Sequence, residues 1–200
     1  MTAVAESDQT HPTGATNPES VTPHRTLPNT VSADEFKRAF RNHPAGVAVV
    51  TADAGDGPVG LTATSVFSVS AEPPLLVFSI SELSSSAPTI KRAETVVVHL
   101  LGADQIGIAK LCATSGVDRF ADEDSWNRLV TGEPVYHGAH AWIRGAVIAQ
   151  LEAGSSTLMV VHALQTSAPA AGSAEANAET TRPLVYHNRA WHHLGEHSRL

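Results

Sequence analysis

Several things are scarce in this chain. A single cysteine, Cys112, among 200 residues excludes an internal disulfide and fits a reducing compartment, so a cytoplasmic protein is expected. Basic residues are few: 13 Lys and Arg stand against 20 Asp and Glu, a net charge of -7, with no Lys/Arg run. A nucleic-acid partner needs a concentrated basic face and is not expected. No apolar run approaches the ~20 residues of a membrane span, and the N-terminus lacks the basic-then-apolar pattern of a signal peptide. Charged residues (16%) and aromatics (5%) are both thin. What is present is aliphatic: at 42% hydrophobic, the chain can bury one core.

Residues 1–30 read as a disordered tail, with Pro12, Pro18, Pro23 and Pro28 among Thr, Ser, Asn and Glu. The domain is expected over 31–195, with a long Ala-rich loop at 166–182 inside it and a short C-terminal tail at 196–200. Ser32-Ala33-Asp34-Glu35 is a capping box, and Phe36, Ala39 and Phe40 share one face of the helix it opens. From Gly46 the pattern turns to β. A short strand at 47–51 is followed by turn residues 53–58, then one hydroxyl-rich strand over 59–70 and another at 75–80. Helices are expected at 87–93 and, capped by Asp104, up to about Ala113, with a strand at 95–101 between them. Strands at 139–152 and 157–165 and a last hairpin around His187-Asn188-Arg189 complete seven or eight strands. Helices this few and short indicate a mainly β barrel, not βαβ alternation.

Gly55-Asp56-Gly57-Pro58-Val59-Gly60 spells G-x-G-x-x-G. A dinucleotide loop of that kind must open a helix, whereas Leu61-Thr62-Ala63-Thr64-Ser65-Val66-Phe67 favours strand. A hairpin turn is the expected role.

Two hydroxyl-rich stretches carry the chemistry. One is Gly60-Leu61-Thr62-Ala63-Thr64-Ser65; the other is Ser79-Ile80-Ser81-Glu82-Leu83-Ser84-Ser85-Ser86-Ala87-Pro88-Thr89, with Lys91 and Arg92 just beyond. The serine triplet reads either as an ordinary helix cap or as an anion site built from hydroxyls and a helix end.

The order of segments Pro44-Ala45-Gly46-Val47-Ala48-Val49-Val50-Thr51, Gly60-Leu61-Thr62-Ala63-Thr64-Ser65, Val69-Ser70-Ala71-Glu72-Pro73-Pro74-Leu75, Ser84-Ser85-Ser86, Val98-His99-Leu100-Leu101, Asp118-Arg119-Phe120 and Arg182-Pro183-Leu184-Val185-Tyr186 resembles the flavin reductase-like, FMN-binding split-barrel family. These are the short-chain reductase components of two-component monooxygenases. The resemblance implies a Greek-key-like split β-barrel, an expected homodimer, that binds FMN (or FAD) and uses NADH or NADPH as hydride donor. It implies that Thr62, Ala63, Thr64 and Ser65 contact the flavin ring or its ribityl chain. Ser85, Ser86, Thr89 and Lys91 would hold the phosphate, and Phe120 would lie near the ring. The implied reaction is hydride transfer to flavin, with reduced flavin supplied to a partner monooxygenase; the flavin carries the chemistry, so no catalytic side chain is assigned. Two other readings use the same residues: a flavoenzyme that retains FMN and reduces an organic substrate, and a non-enzymatic flavin-binding module.

The chain departs from the family where many members have Gly-Asp-His: it has Gly154-Ser155-Ser156. Ser156 and His192 are the remaining nicotinamide-side candidates. Val161 stands where a family glycine is usual, which would narrow a close backbone approach, and His99 replaces the usual Asn. His99 reads as a half-buried histidine with satisfied nitrogens, rather than as a flavin contact. Among the 11 histidines no three converge by spacing, and no metal site is expected. Cys112 reads as a buried, inert thiol. Trp142 and Trp191 read as core or dimer contacts, and Trp126 as a lid element.

Overall fold

The computed structural model describes residues 30–168 and 182–200; the expected N-terminal tail and most of the Ala-rich loop lie outside them. The capping box forms as expected: Ser32 Oγ accepts from the Glu35 amide and Glu35 reaches back to the Ser32 amide, opening α1 (Ala33–Arg41). Strands β1 (Ala45–Gly46), β2 (Ala48–Asp53), β3 (Pro58–Ala63), β4 (Phe67–Ala71) and β5 (Pro74–Ser81) precede α2 (Ala87–Arg92). Then come β6 (Thr95–Leu100), α3 (Ile106–Ala113), β7 (Trp126–Arg128), β8 (Pro134–Tyr136), β9 (Ala141–Ala153), β10 (Ser156–Thr166), β11 (Leu184–His187) and β12 (Ala190–His193).

Seven strands form the main sheet in the order β3-β2-β6-β9-β10-β5-β4, every neighbouring pair antiparallel. Counting directions along that order, the two edge strands β3 and β4 run the same way. They are also consecutive in the chain, joined by Thr64-Ser65-Val66. Parallel neighbours need a crossover of about a dozen residues, so three residues cannot bring β4 back alongside β3. Strand β4 therefore starts where β3 stops. The edges approach without a ladder, and the barrel is split at this seam.

The single strand expected over 59–70 is thus two strands on opposite edges. The break has no signature in composition; Ser65 makes it. Its hydroxyl donates to Ser79 O (3.2 Å) and accepts from Ser79 N–H (3.0 Å), replacing a backbone partner just past the last β4–β5 pair, Phe67 with Val77.

Strands β2 and β6 are buried on both faces. Ala48, Val50, Ala52, Val96 and Val98 face the barrel interior with Phe78, Ile80, Met159 and Val161, and α2 closes it with Ala87, Ile90 and Ala93. Val47 and Val49 face a second core with Cys112, Phe120, Tyr136 and Leu184, beneath α3 and β8. Val161 is fully buried, and its methyl closes over Gly145: a Cβ at Gly145 would lie 2.4 Å from it and 2.7 Å from His162 O. Its bulk narrows the barrel interior and not an external groove.

Asp104 does not cap α3. It sits in a 3-10 turn, Ala103–Gln105, whose first amide, Gly102 N–H, donates to Gln105 Oε1 at 2.7 Å. The irregular stretch before β9 holds the β7–β8 hairpin, and β1, β11 and β12 form a small separate sheet, so the count of seven or eight strands falls short among the described residues. Strands of two or three residues are too short to show a period. The expected C-terminal tail carries a 3-10 turn, Glu196–Ser198. No helix among the described residues is long and apolar enough to cross a membrane.

Candidate functional site

A cleft of about 830 Å³ opens beside the seam. Its walls are α1 with the following His43-Pro44, the link Thr64-Ser65-Val66 with Phe67, and the β11–β12 turn from Tyr186 to Arg189. The turn needs left-handed backbone at two non-glycine residues, Asn188 (φ 47°) and Arg189 (φ 65°), a pattern of type I′ hairpins. Asn188 N–H donates to Arg41 O (3.2 Å) and ties the turn to the end of α1. A smaller hollow of about 210 Å³ continues past Gly46 and Val66 toward Leu100 and Pro183.

Of the four residues implied as ring contacts, Thr64 and Ser65 line the cleft. Thr62 points the other way and donates to Ala109 O on α3 at 2.6 Å, and Ala63 is buried inside the barrel. The alternation of a strand separates them.

The implied phosphate residues gather at α2, and internal partners take most of their polar atoms. Ser86, 1% exposed, donates to Gly60 O at 2.8 Å. Buried Thr89 faces Asp56 (3.4 Å). Lys91 pairs with Glu82 (3.0 Å), which also accepts from Thr157 (2.6 Å); the Thr157 bond and then Lys91 hold the Glu82 carboxyl below its ordinary value. Ser84 Oγ accepts from Ser86 N–H (3.3 Å), which leaves Ser85 as the solvent-exposed hydroxyl of the triplet. Ser156 is opposite Ser81 in the β5–β10 ladder and so belongs to this group. Ser79 joins the two groups, since it bonds Ser65 at the seam and lies two residues before Ser81.

These contacts separate two adjacent serines experimentally. Ser86→Ala is expected to lower folding stability by about 1–3 kcal/mol, because Gly60 O loses a buried donor. Ser85→Ala is expected to leave stability within about 0.5 kcal/mol. Urea denaturation of both variants reads the difference; equal losses would refute the assignment.

Phe120 lies in neither group. It is buried in the second core, stacked on Tyr136 (5.3 Å) and edge-on to Trp126 (4.9 Å). Trp126 is no free lid: its indole N–H donates to Phe120 O (3.1 Å). His192 is exposed on β12, its ring 5.6 Å from that of His187, which lines the cleft.

His99 is fully buried, not half-buried. Its Nδ1 bonds Val49 O (3.0 Å) and its Nε2 accepts from Tyr136 N–H (3.1 Å). A carbonyl only accepts and an amide only donates, so the ring is neutral with its proton on Nδ1. Burial pushes its pKa down to about 4. Cys112 is also buried, and burial raises its thiol to about 11, an inert state. No group of three or more metal-ligating side chains occurs among the described residues.

The glycine-rich decoy is a turn with its amides already used. Asp53 accepts from Gly55 N–H (2.7 Å) and Gly57 N–H (3.2 Å) and pairs with Arg128 (2.6 Å), so a carboxylate occupies the place a phosphate would need.

Sequence reasoning missed two features. The first is the gathering of Lys37 and Arg41 of α1 with the distant Arg189 in the cleft lining. The second is a buried ion pair, Glu133 with Arg144 (2.7 Å), in which Glu133 also accepts from Thr95 (2.5 Å) and Thr131. An amphipathic α1 with Phe36 and Phe40 left more than half exposed was the one available hint of a cleft beside it.

The fold is a split antiparallel barrel with a hydroxyl-lined seam and an adjoining cleft of small-molecule size. Residues 40–195 match the model of the flavin reductase like domain. The chain belongs to that family. It is 46% identical over 162 residues to an NADH:FMN oxidoreductase of Rhodococcus erythropolis, covering 78% of this chain and 79% of that one. It is similar to the crystal structure of a flavin reductase domain protein from Arthrobacter sp. FB24, with TM-score 0.72 and 32% identity over 80% of this chain and 94% of that one. It also resembles BorF, the flavin reductase component of a bacterial two-component tryptophan halogenase, with TM-score 0.70 and 27% identity over 82% and 99% of the two chains.

Proposed function

We propose that the protein is an NAD(P)H:flavin oxidoreductase that supplies reduced flavin to a partner monooxygenase. The family match over residues 40–195, which spans the seam and both hydroxyl groups, carries this reading. A cleft of about 830 Å³ is of a size usual for small-molecule sites. The exposed Thr64 hydroxyl at one wall and the lack of a carboxylate in the cleft lining suit a polar, anionic cofactor.

Bound flavin supplies the redox chemistry by accepting a hydride from reduced nicotinamide. The chain's own residues bind and orient. Thr64 would hydrogen-bond the polar edge of the ring at the seam, and Ser65, whose hydroxyl is held by Ser79, would line the ring's place and fix the link. Ser85 would serve the phosphate, with Lys91 shared between it and Glu82. Ser156 and His192 are the proposed nicotinamide-side residues, and Thr62, Ala63, Ser86, Thr89 and Phe120 would act by holding these walls in place. The acceptor is FMN or FAD and the donor NADH or NADPH.

The protein would work as a homodimer. Support comes from apolar residues exposed on regular strands: Val69 on β4, Ile148 and Leu151 on β9, and Leu164 on β10. Light scattering on the purified protein reads this directly, with twice the chain mass expected.

The activity is tested by stopped-flow oxidation of NADH and NADPH in the presence of FMN or FAD. Flavin-dependent oxidation of at least one nicotinamide is expected. No oxidation with any pair would refute the reading, and tight FMN retention without turnover of free flavin would favour an enzyme that reduces an organic substrate instead.

A further inference from the structure

The cleft has an electrostatic character opposite to that of the chain. The protein carries a net charge of -7, yet the cleft lining includes Lys37, Arg41 and Arg189, with His43 and His187, and no Asp or Glu. Lys37 has a loose partner, Asp34 at 3.8 Å on the open surface, which holds it weakly. Arg41 and Arg189 form no ion pair among the described residues. The hydrogen bond from Asn188 N–H to Arg41 O brings the backbones of these two arginines together. Arg189 holds its place in left-handed backbone, φ 65°, where an arginine is rare and glycine would fit better. Beside this basic wall stand Phe36 and Phe40, ring centroids 4.8 Å apart and each more than half exposed.

Unpaired guanidiniums beside an open aromatic face suit a phosphate-bearing ligand with a planar base, such as a diphosphate joined to a purine. Guanidinium groups bind phosphate oxygens in paired hydrogen bonds, and aromatic rings accept a stacked base. We propose that this wall binds the adenosine diphosphate half of a dinucleotide, with Arg41 and Arg189 on the diphosphate and the Phe36–Phe40 face under the adenine. The opposite wall, Thr64-Ser65, then faces the redox half of the same or a neighbouring ligand. The choice of dinucleotides rests on the flavin reductase reading: the same chemistry could come from FAD or from the nicotinamide donor.

Calorimetric titration of the full-length protein with ADP alone tests the site without reference to activity. Arg189→Gly is the informative variant, because it removes the guanidinium and relieves the backbone, so misfolding cannot explain its effect. ADP is expected to bind the parent, and Arg189→Gly and Arg41→Ala are each expected to weaken it about tenfold or more, from the strength of hydrogen bonds to charged groups. Two further arms identify the source. A variant-induced loss of affinity for FAD but not FMN assigns the site to the flavin. A raised KM for NADH, with no change for reduced nicotinamide mononucleotide, assigns it to the donor. No ADP binding, binding by both variants as tight as the parent's, or equal loss of FMN and FAD affinity would overturn the proposal. Failure of flavin reduction with ADP binding intact would instead count against the functional reading.

Discussion

Replacing Glu133 by alanine is expected to destabilise the protein by about 3–5 kcal/mol, the usual cost of leaving a buried charge without its partner. Glu133 is 4% exposed, and the Arg144 side chain is mostly buried at 16%. Burial alone would raise the Glu133 carboxyl. Hydrogen bonds from Thr131 and Thr95, together with the Arg144 guanidinium, outweigh it and hold the group below its ordinary value. The pair joins the loop before β8 to β6 and β9. Thr51 adds a second buried tie by donating to Pro134 O at 2.5 Å. Glu133→Gln keeps an acceptor for the two threonines and is expected to cost less than alanine. Equilibrium urea denaturation reads both, and a loss under about 1 kcal/mol for Glu133→Ala would show that Arg144 finds water or another partner.

Acid is expected to weaken the protein in two windows that overlap only near pH 4, of which the upper one belongs to His99. Its folded pKa of about 4 is well below the ordinary 6.5, so the unfolded chain binds a proton that the folded one refuses. His99 thus contributes its full stability above pH 6.5, loses it progressively as pH falls toward 4, and loses no more below that. The span corresponds to about 3 kcal/mol at 1.36 kcal/mol per unit. Glu133, with a lowered carboxyl, acts only below its unfolded value of 4.5. Denaturation at a series of pH values between 7 and 4 measures the upper window. His99→Asn, the residue usual in the family at this position, retains an amide donor and acceptor but does not titrate, and is expected to flatten the profile there. An unchanged slope in that variant would refute the assignment.

The fold was legible where a strand is long and buried on a regular face, or where a turn has its own chemistry. Strands β2, β5, β6, β9 and β10 and the Asp53 turn are of this kind. The three-residue and shorter strands β1, β7 and β8 were not legible, because their pairing depends on partners far along the chain. The site divides the same way. Resemblance pointed to Thr64 and Ser65, and both line the cleft. Local sequence could not reveal that Ser86 spends its hydroxyl on Gly60, 26 residues away, while Ser85 next to it does not. Nor could it bring Arg41 beside the turn at Arg189, since one backbone hydrogen bond does that across almost 150 positions.

The odd number of strands in the main sheet has an evolutionary consequence. Sliding one edge along the other alters stagger but never direction, and no point substitution changes a strand count. With an antiparallel order fixed by hairpins and a three-residue link, mutation can reshape the lining of the gap between β3 and β4 yet cannot anneal it. Descendants of such a chain can therefore exchange one bound molecule for another residue by residue, without having to reinvent the opening that receives it.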